Sequence, residues 1–275
     1  MRLQTLIAEF PKYQVLQEGN PEVTGLSTDS RKVNPGDLFV AIRGGQLQDR
    51  HPYVLQAIEA GAVGVIVEDP IVTGPVAVIQ VPSARKALGM LAERYYGAPW
   101  RSLRMVGVTG TNGKTTTSML VQAILEAAGF RCGLIGTIEY RLGNRTVPSS
   151  IGTPEAHDLQ AMMKEMVESE CRAAVMETTS HGLALGRVHG IEFETAIFTN
   201  FSRDHLDFHE TPEAYLAAKA VLFDNLKTDA YAVVNIDDPT TKDVLKNCSA
   251  RVWKYGKSES SEVRILGAKT DWRGT

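Results

Sequence analysis

One segment constrains this chain more than any other. Val106-Gly-Val-Thr-Gly110-Thr111-Asn112-Gly113-Lys114-Thr115-Thr116-Thr117 joins an apolar run to a Gly-rich turn, a lysine and three hydroxyls, and a helical pattern follows to Ala128. Such an order places the turn between a buried strand and a helix N-terminus. Glycines let backbone N–H groups converge on phosphate oxygens, and the helix dipole adds to the attraction for negative charge. Lys114 can then reach β- and γ-phosphates as a point charge, while the Thr115 hydroxyl suits Mg²⁺. The general eight-residue phosphate-loop template wants glycine five positions before Gly113. Val108 stands there, so the match is to a shorter form, G-T-N-G-K-T-T. A helix that merely follows a glycine turn would need neither the lysine nor the hydroxyls. Gly110, Thr111, Asn112, Gly113, Lys114, Thr115 and Thr116 are therefore expected to bind a nucleoside triphosphate.

The surrounding pattern predicts an α/β protein of two domains. Residues 1–99 read as a small mixed α/β unit, with strands over 23–27, 37–42, 63–67 and 76–81 and helices over 53–60 and 84–96. Gly97-Ala98-Pro99 marks the domain boundary. Residues 100–275 change to repeated strand–loop–helix units, with strands over 103–108, 132–138, 173–178, 195–201 and 231–236. Helices are expected over 113–128, 153–169 and 211–226; Thr153 is read as an N-cap with Pro154 in the first turn, and Thr211-Pro212 likewise. This alternation predicts a P-loop-type domain with a mainly parallel sheet, whose ligands bind beyond the C-terminal strand ends.

Charge and cysteine content narrow the function classes. The 275 residues carry 29 Lys+Arg against 32 Asp+Glu, a net charge of −3, which offers no electrostatic case for binding nucleic acid. Three dispersed cysteines without a C-x-x-C pattern argue against a disulfide framework or structural zinc and point to a reducing compartment. No apolar run approaches the roughly 18 residues of a membrane helix, and Glu9 interrupts the N-terminal apolar stretch before a signal peptide could form. A cytoplasmic monomer without membrane insertion is expected.

Further chemistry gathers at later strand ends. Met176-Glu177-Thr178-Thr179-Ser180-His181 closes one predicted strand with an acid, three hydroxyls and an imidazole, and Glu177 could hold Mg²⁺ directly or through water. The next strand ends in Asp204-His205-Leu206-Asp207-Phe208-His209. Four of the six histidines fall within residues 181–209, yet without H-E-x-x-H or cysteine support a dedicated zinc site is not expected. The helix that follows carries Lys219 among Ala217, Ala218 and Ala220, where a lysine ordinarily reaches solvent.

Together these motifs resemble a known family. G-T-N-G-K-T-T is similar to the ATP loop of the Mur ligases and folylpolyglutamate synthetases, and E-T-T-S-H-G-L, D-H-L-D-F-H and A-K-A-V-L-F resemble the MurE-type Mur ligases. The resemblance implies an ATP- and Mg²⁺-dependent ligase of peptidoglycan precursor synthesis, adding a diamino acid to UDP-MurNAc-L-Ala-D-Glu through an acyl-phosphate. It implies catalytic roles for Lys114, Lys219, Glu177 and His205. Thr115, Glu177, His205 and a carbamylated Lys219 would hold metal. Ser30, Gly45, Gln46, Leu47, Gly152, Thr153, Thr179 and Arg187 match positions that contact the UDP-sugar substrate, residues 1–99 forming its binding domain. Two departures touch substrate positions: Gly152-Thr153-Pro154 replaces Thr-Thr-Pro, and Thr178-Thr179-Ser180-His181 replaces Val-Ser-Ser-His. By this resemblance the family's third, amino-acid-binding domain is expected to be missing from these 275 residues, and the central domain to be incomplete. The expectation is an inactive chain by itself, so a UDP-sugar- or ATP-binding module is the alternative, with a MurF or folylpolyglutamate synthetase relative behind it.

Overall fold

The structure, a computed structural model, describes residues 1–44, 48–71 and 73–267. They divide into two compact units. The first comprises residues 1–99, 155–164 and 185–190; the second takes 100–154, 165–184 and the residues from 191 onward. The first unit thus includes two segments that the sequence reading assigned to the central domain. Among the described residues no helix is long and apolar enough to cross a membrane.

In the first unit, β1 (Gln14–Gln17), β2 (Gly25–Ser27), β3 (Asp37–Val40), β6 (Gly64–Val67) and β7 (Ala77–Gln80) form one sheet in the order β1-β7-β6-β3-β2. All pairs are parallel except β1 with β7. β3 and β6 are buried at every position, the expected outcome for continuous apolar runs covered on both faces. Successive side chains alternate between those faces. Leu38, Val40, Ile66 and Ile79 pack with Leu88 and Leu91 of α3 (Ala84–Tyr96), beside α1 (Leu3–Ile7). Phe39, Val65, Val67 and Val78 pack with Val54 and Ala57 of α2 (Val54–Glu59). A short pair, β4 (Arg43–Gly44) and β5 (Gln48–Asp49), follows β3 in the chain. The α3 helix is capped by the Ser83 hydroxyl, which accepts from the Lys86 N–H, and ends where Gly97 turns left-handed at φ 78°.

The second unit holds a nine-stranded sheet built from β8 (Arg104–Thr109), β9 (Cys132–Ile135), β10 (Glu139–Arg141), β11 (Thr146–Pro148), β12 (Ala173–Glu177), β13 (Thr195–Phe198), β14 (Tyr231–Asn235), β15 (Arg251–Gly256) and β16 (Val263–Arg264). Its order is β11-β10-β9-β12-β8-β13-β14-β15-β16, parallel from β9 to β16. From β8 the chain builds β9 and β12 on one side, then β13 to β16 on the other. That reversal is the topological switch point where open α/β sheets bind ligands. Its helices are α4 (Lys114–Ala127), α6 (Ser180–Ala184), α7 (Leu206–His209), α8 (Pro212–Asp224) and α9 (Thr241–Val244), while α5 (Ala156–Glu168) belongs to the first unit through residue 164 and to the second from 165.

Three features differ from the sequence reading. β1, the β10–β11 hairpin and β15–β16 lie toward sheet edges and carry no continuous apolar run, which is why pattern alone missed them. Predicted strands over 132–138 and 195–201 stop at Ile135 and Phe198, and their polar ends become site loops. Thr153 is not a helix cap. Its hydroxyl donates to the Glu177 carbonyl and accepts from the Thr179 N–H, both at 2.9 Å, and α5 starts only at Ala156.

Candidate functional site

The site is assembled where β8, β9, β12 and β13 end. Gly110 leaves β8 with φ 145°, and a side chain there would run into the Thr199 hydroxyl after β13. Glycine is required on both counts. Gly113, at φ 82°, then forms the N-cap of α4 and aims the helix N-terminus at the loop. Neighbouring side chains hold the loop's backbone in shape. Asn200 accepts from the Asn112 N–H through its side-chain oxygen and donates to the Asn112 carbonyl, each at 3.0 Å. The Thr111 hydroxyl donates to the Ser202 carbonyl and accepts from the Tyr215 hydroxyl. The Thr199 hydroxyl donates to the Asn112 carbonyl at 2.7 Å.

Two lysines converge on this loop. Lys114 Nζ donates to the carbonyls of Gly110 at 3.0 Å and Thr111 at 2.8 Å. Lys219 Nζ reaches the same Gly110 carbonyl at 2.8 Å and sits 4.2 Å over the Tyr215 ring, one helical turn earlier on α8. Lys219 is only 1% exposed, so the solvent-reaching role usual for such a lysine does not apply. Burial, with the Lys114 charge adding and Asp204 opposing, pulls its amine down to about 7. Burial likewise lowers Lys114, against the attraction of Glu177 and Asp204.

On the other side of the loop, Glu177 is 1% exposed at the end of β12. Its Oε2 accepts from the Thr115 hydroxyl at 3.0 Å and the Thr137 hydroxyl at 2.6 Å, and its Oε1 accepts from the Thr137 N–H at 2.9 Å. Thr115 and Glu177 are thus brought together by a direct hydrogen bond. Thr116 occupies the exposed side of the first turn of α4. His205, left-handed at φ 51°, packs on His181 with ring centroids 4.9 Å apart and on Tyr215 at 5.8 Å. Its nearest carboxylate is Asp204, at 3.6 Å, rather than Glu177. Among the described residues no three His, Cys, Asp or Glu side chains could hold a metal by themselves.

Of the predicted substrate positions, Gly152, Thr153 and Thr179 meet beside Glu177. The Thr153 and Thr179 hydroxyls are 2.9 Å apart, and a side chain at Gly152 would press on Thr179. Ser30 and Arg187 belong to the first unit. The Ser30 hydroxyl donates to Gln56 at 2.8 Å, and Arg187 Nε donates to Glu155 at 3.0 Å. Gly45, Gln46 and Leu47 lie outside the described residues. Sequence reasoning gave no role to Thr137, Asn200 or Tyr215. Asn200 and Tyr215 had a usable signal in their nearness to the strand-end and lysine motifs, whereas Thr137 had only its place after the apolar run of β9.

A glycine loop, a lysine and a hydroxyl at the switch point of a parallel sheet define an α/β protein of the phosphate-loop type. The chain belongs to the Mur ligase family: the Mur ligase middle domain matches residues 108–275, and the Mur ligase family catalytic domain matches residues 22–96. It is 41% identical over 269 residues to the UDP-N-acetylmuramoyl-L-alanyl-D-glutamate–2,6-diaminopimelate ligase of Geobacillus thermodenitrificans, covering 96% of this chain and 55% of the relative. The protein of the same name from Chlorobaculum tepidum is 49% identical over 219 residues, covering 79% of this chain and 43% of the relative. A solved structure of a ligase of that name superposes with a TM-score of 0.80 at 28% identity, over 100% of this chain and 56% of that one. The chain spans about half the length of the curated relatives it matches.

Proposed function

We propose that this chain carries the ATP and nucleotide-sugar sides of a MurE-type ligase, which adds a diamino acid to UDP-MurNAc-L-Ala-D-Glu in peptidoglycan precursor synthesis. The observation that carries the reading is the convergence of Lys114 and Lys219 on one loop carbonyl, with Glu177 and Thr115 across from them. The Lys114 ammonium at the N-terminus of α4, beside the glycine loop, calls for an anion, and a triphosphate held by the loop N–H groups supplies it. The names of the relatives support the choice of substrate. ATP would phosphorylate the γ-carboxylate of the D-Glu residue, and the incoming amine would attack the acyl-phosphate and release phosphate. Lys114 would offset charge that develops on the transferred phosphoryl, where positioning and electrostatics dominate.

The donor set also fits Mg²⁺. A carboxylate and a hydroxyl 3.0 Å apart suit a hard cation that keeps its remaining positions for water and phosphate oxygens. When bound, the ion would neutralise phosphoryl charge. Lys219, brought to about 7, has a neutral amine fraction able to take up CO₂ with release of a proton. The resulting carbamate would turn a cation into an oxygen ligand and end the repulsion with Lys114. His205 is assigned to the same metal side, its ring set by Asp204 and His181. Thr153, Thr179, Ser30 and Arg187 are assigned to the UDP-sugar. The reading describes a cytoplasmic monomer that acts on small molecules.

Calorimetry of the 275-residue chain with ATP–Mg²⁺ and, separately, UDP-MurNAc-L-Ala-D-Glu tests the proposal. Both should bind. Lys114→Ala should weaken ATP roughly 10- to 100-fold, the size of a lost hydrogen bond to a charged group, and leave the nucleotide sugar unaffected. A chain that binds neither ligand would contradict the reading.

A further inference from the structure

Arg85 belongs to none of the motifs above, yet it occupies a central place in the first unit. It lies in the first turn of α3, and its Nε donates to the Arg43 carbonyl in β4 at 2.7 Å. Its Nη1 donates to Glu155 Oε2 at 3.0 Å, and the other oxygen of Glu155 accepts from Arg187 Nε at 3.0 Å. The three side chains are 14%, 20% and 12% exposed. Burial, opposed by Glu155 and reinforced by the Arg187 charge, lowers Arg85 from its ordinary value. Burying an Arg–Glu–Arg set is a poor source of stability, because desolvation offsets the Coulomb attraction. What the set does supply is orientation, since a planar guanidinium held at one nitrogen presents its plane in a defined direction.

A second observation ties this linkage to α3. Gly89 and Glu93 follow Arg85 at four-residue intervals and so share its helix face. A side chain at Gly89 would stand 3.2 Å from the His189 carbonyl, and one at Gly190 would stand 3.0 Å from Glu93 Oε2. The segment that carries Arg187 is therefore seated directly on the Arg85–Gly89–Glu93 face.

We infer that Arg85 and Glu155 are positioning residues, which hold the Arg187 guanidinium for an anionic group, carboxylate or diphosphate, of the nucleotide sugar. This rests on the assignment of Arg187 to that substrate. The test is calorimetric titration of the 275-residue chain with UDP-MurNAc-L-Ala-D-Glu and, separately, ATP–Mg²⁺, with thermal midpoints recorded for every variant. R85M should weaken the nucleotide sugar tenfold or more and leave ATP affinity unchanged, and Arg85→Lys should recover part of the loss. R85M combined with Arg187→Ala should bind no more weakly than Arg187→Ala alone, because Arg85 acts through Arg187. If R85M does not fold, Glu155→Gln decides, since it keeps the side chain's shape but removes the charge and replaces one of the two oxygens that accept from Arg85 and Arg187 with a donor. Unchanged affinity in R85M or, in that case, in Glu155→Gln overturns the inference, as do losses that simply add in the double variant. Failure of the unmodified chain to bind the nucleotide sugar overturns the ligase reading itself, and this inference with it.

Discussion

Of the four histidines within residues 181–209, His209 alone is buried, at 7% exposure. Its ring packs on Tyr215, with centroids 5.1 Å apart, and on Phe208 and His181, while Nε2 has no hydrogen-bond partner among the described residues. Burial, then the charges of His181, Lys219 and His205 against Asp207, lowers the imidazole from 6.5 to about 4. Between those values the unfolded chain binds more protons than the folded one, so stability rises with pH across that window and is lost on acidification through it. His209→Phe removes this contribution. Urea unfolding at pH 7 and pH 4.5 should show a larger acid loss for the unmodified protein than for the variant; equal losses would refute the assignment. The sequence showed four imidazoles close together but not that this one serves as a packed, neutral aromatic ring. That role depends on α7 lying against α8, a relation without a local signature.

At the scale of elements, α8 shows which parts of the site were legible. Its start was readable at Thr211-Pro212, and the Thr211 hydroxyl does accept from the Ala214 N–H at 3.1 Å. Its buried stripe of Tyr215, Ala218, Lys219, Leu222 and Phe223 follows helical spacing. The inward direction of Lys219 was not readable, because one lysine among alanines carries the same local signal on either face. Thr211→Ala should cost about 1 kcal/mol of stability and lower the thermal midpoint by about 2–4 °C. Because α8 delivers both Tyr215 and Lys219 to the loop, the same variant should weaken ATP binding by less than Lys114→Ala does. A thermal scan and one titration measure both effects. Thr153-Pro154 marks the opposite case: the same dipeptide pattern predicted a cap, and tertiary hydrogen bonds took the hydroxyl instead.

At the scale of the molecule, each unit has its own sheet; the proposed ATP contacts fall in the second, and the proposed nucleotide-sugar contacts fall in both, with Ser30 and Arg187 in the first and Thr153 and Thr179 in the second. ATP should therefore slow hydrogen exchange at residues 109–117 and 199–202, and the nucleotide sugar at 27–31, 43–44 and 185–188. At a hundred times its Kd either ligand should add about 2.7 kcal/mol to stability if it binds only the folded state. Exchange mapped by mass spectrometry checks the assignment, and ATP protection confined to residues 1–99 would contradict it. The strand–glycine–lysine–helix order, the parallel α/β class and the family resemblance were all legible in the amino-acid sequence, because each is written over short separations as periodicity, turn chemistry and a contiguous motif. The site's geometry was not. Thr115 meets Glu177 across 62 positions and Lys219 meets Gly110 across 109, and those meetings follow from β12 and β13 flanking β8. Strand order is settled by how whole faces bury one another, and no local run of residues carries that information.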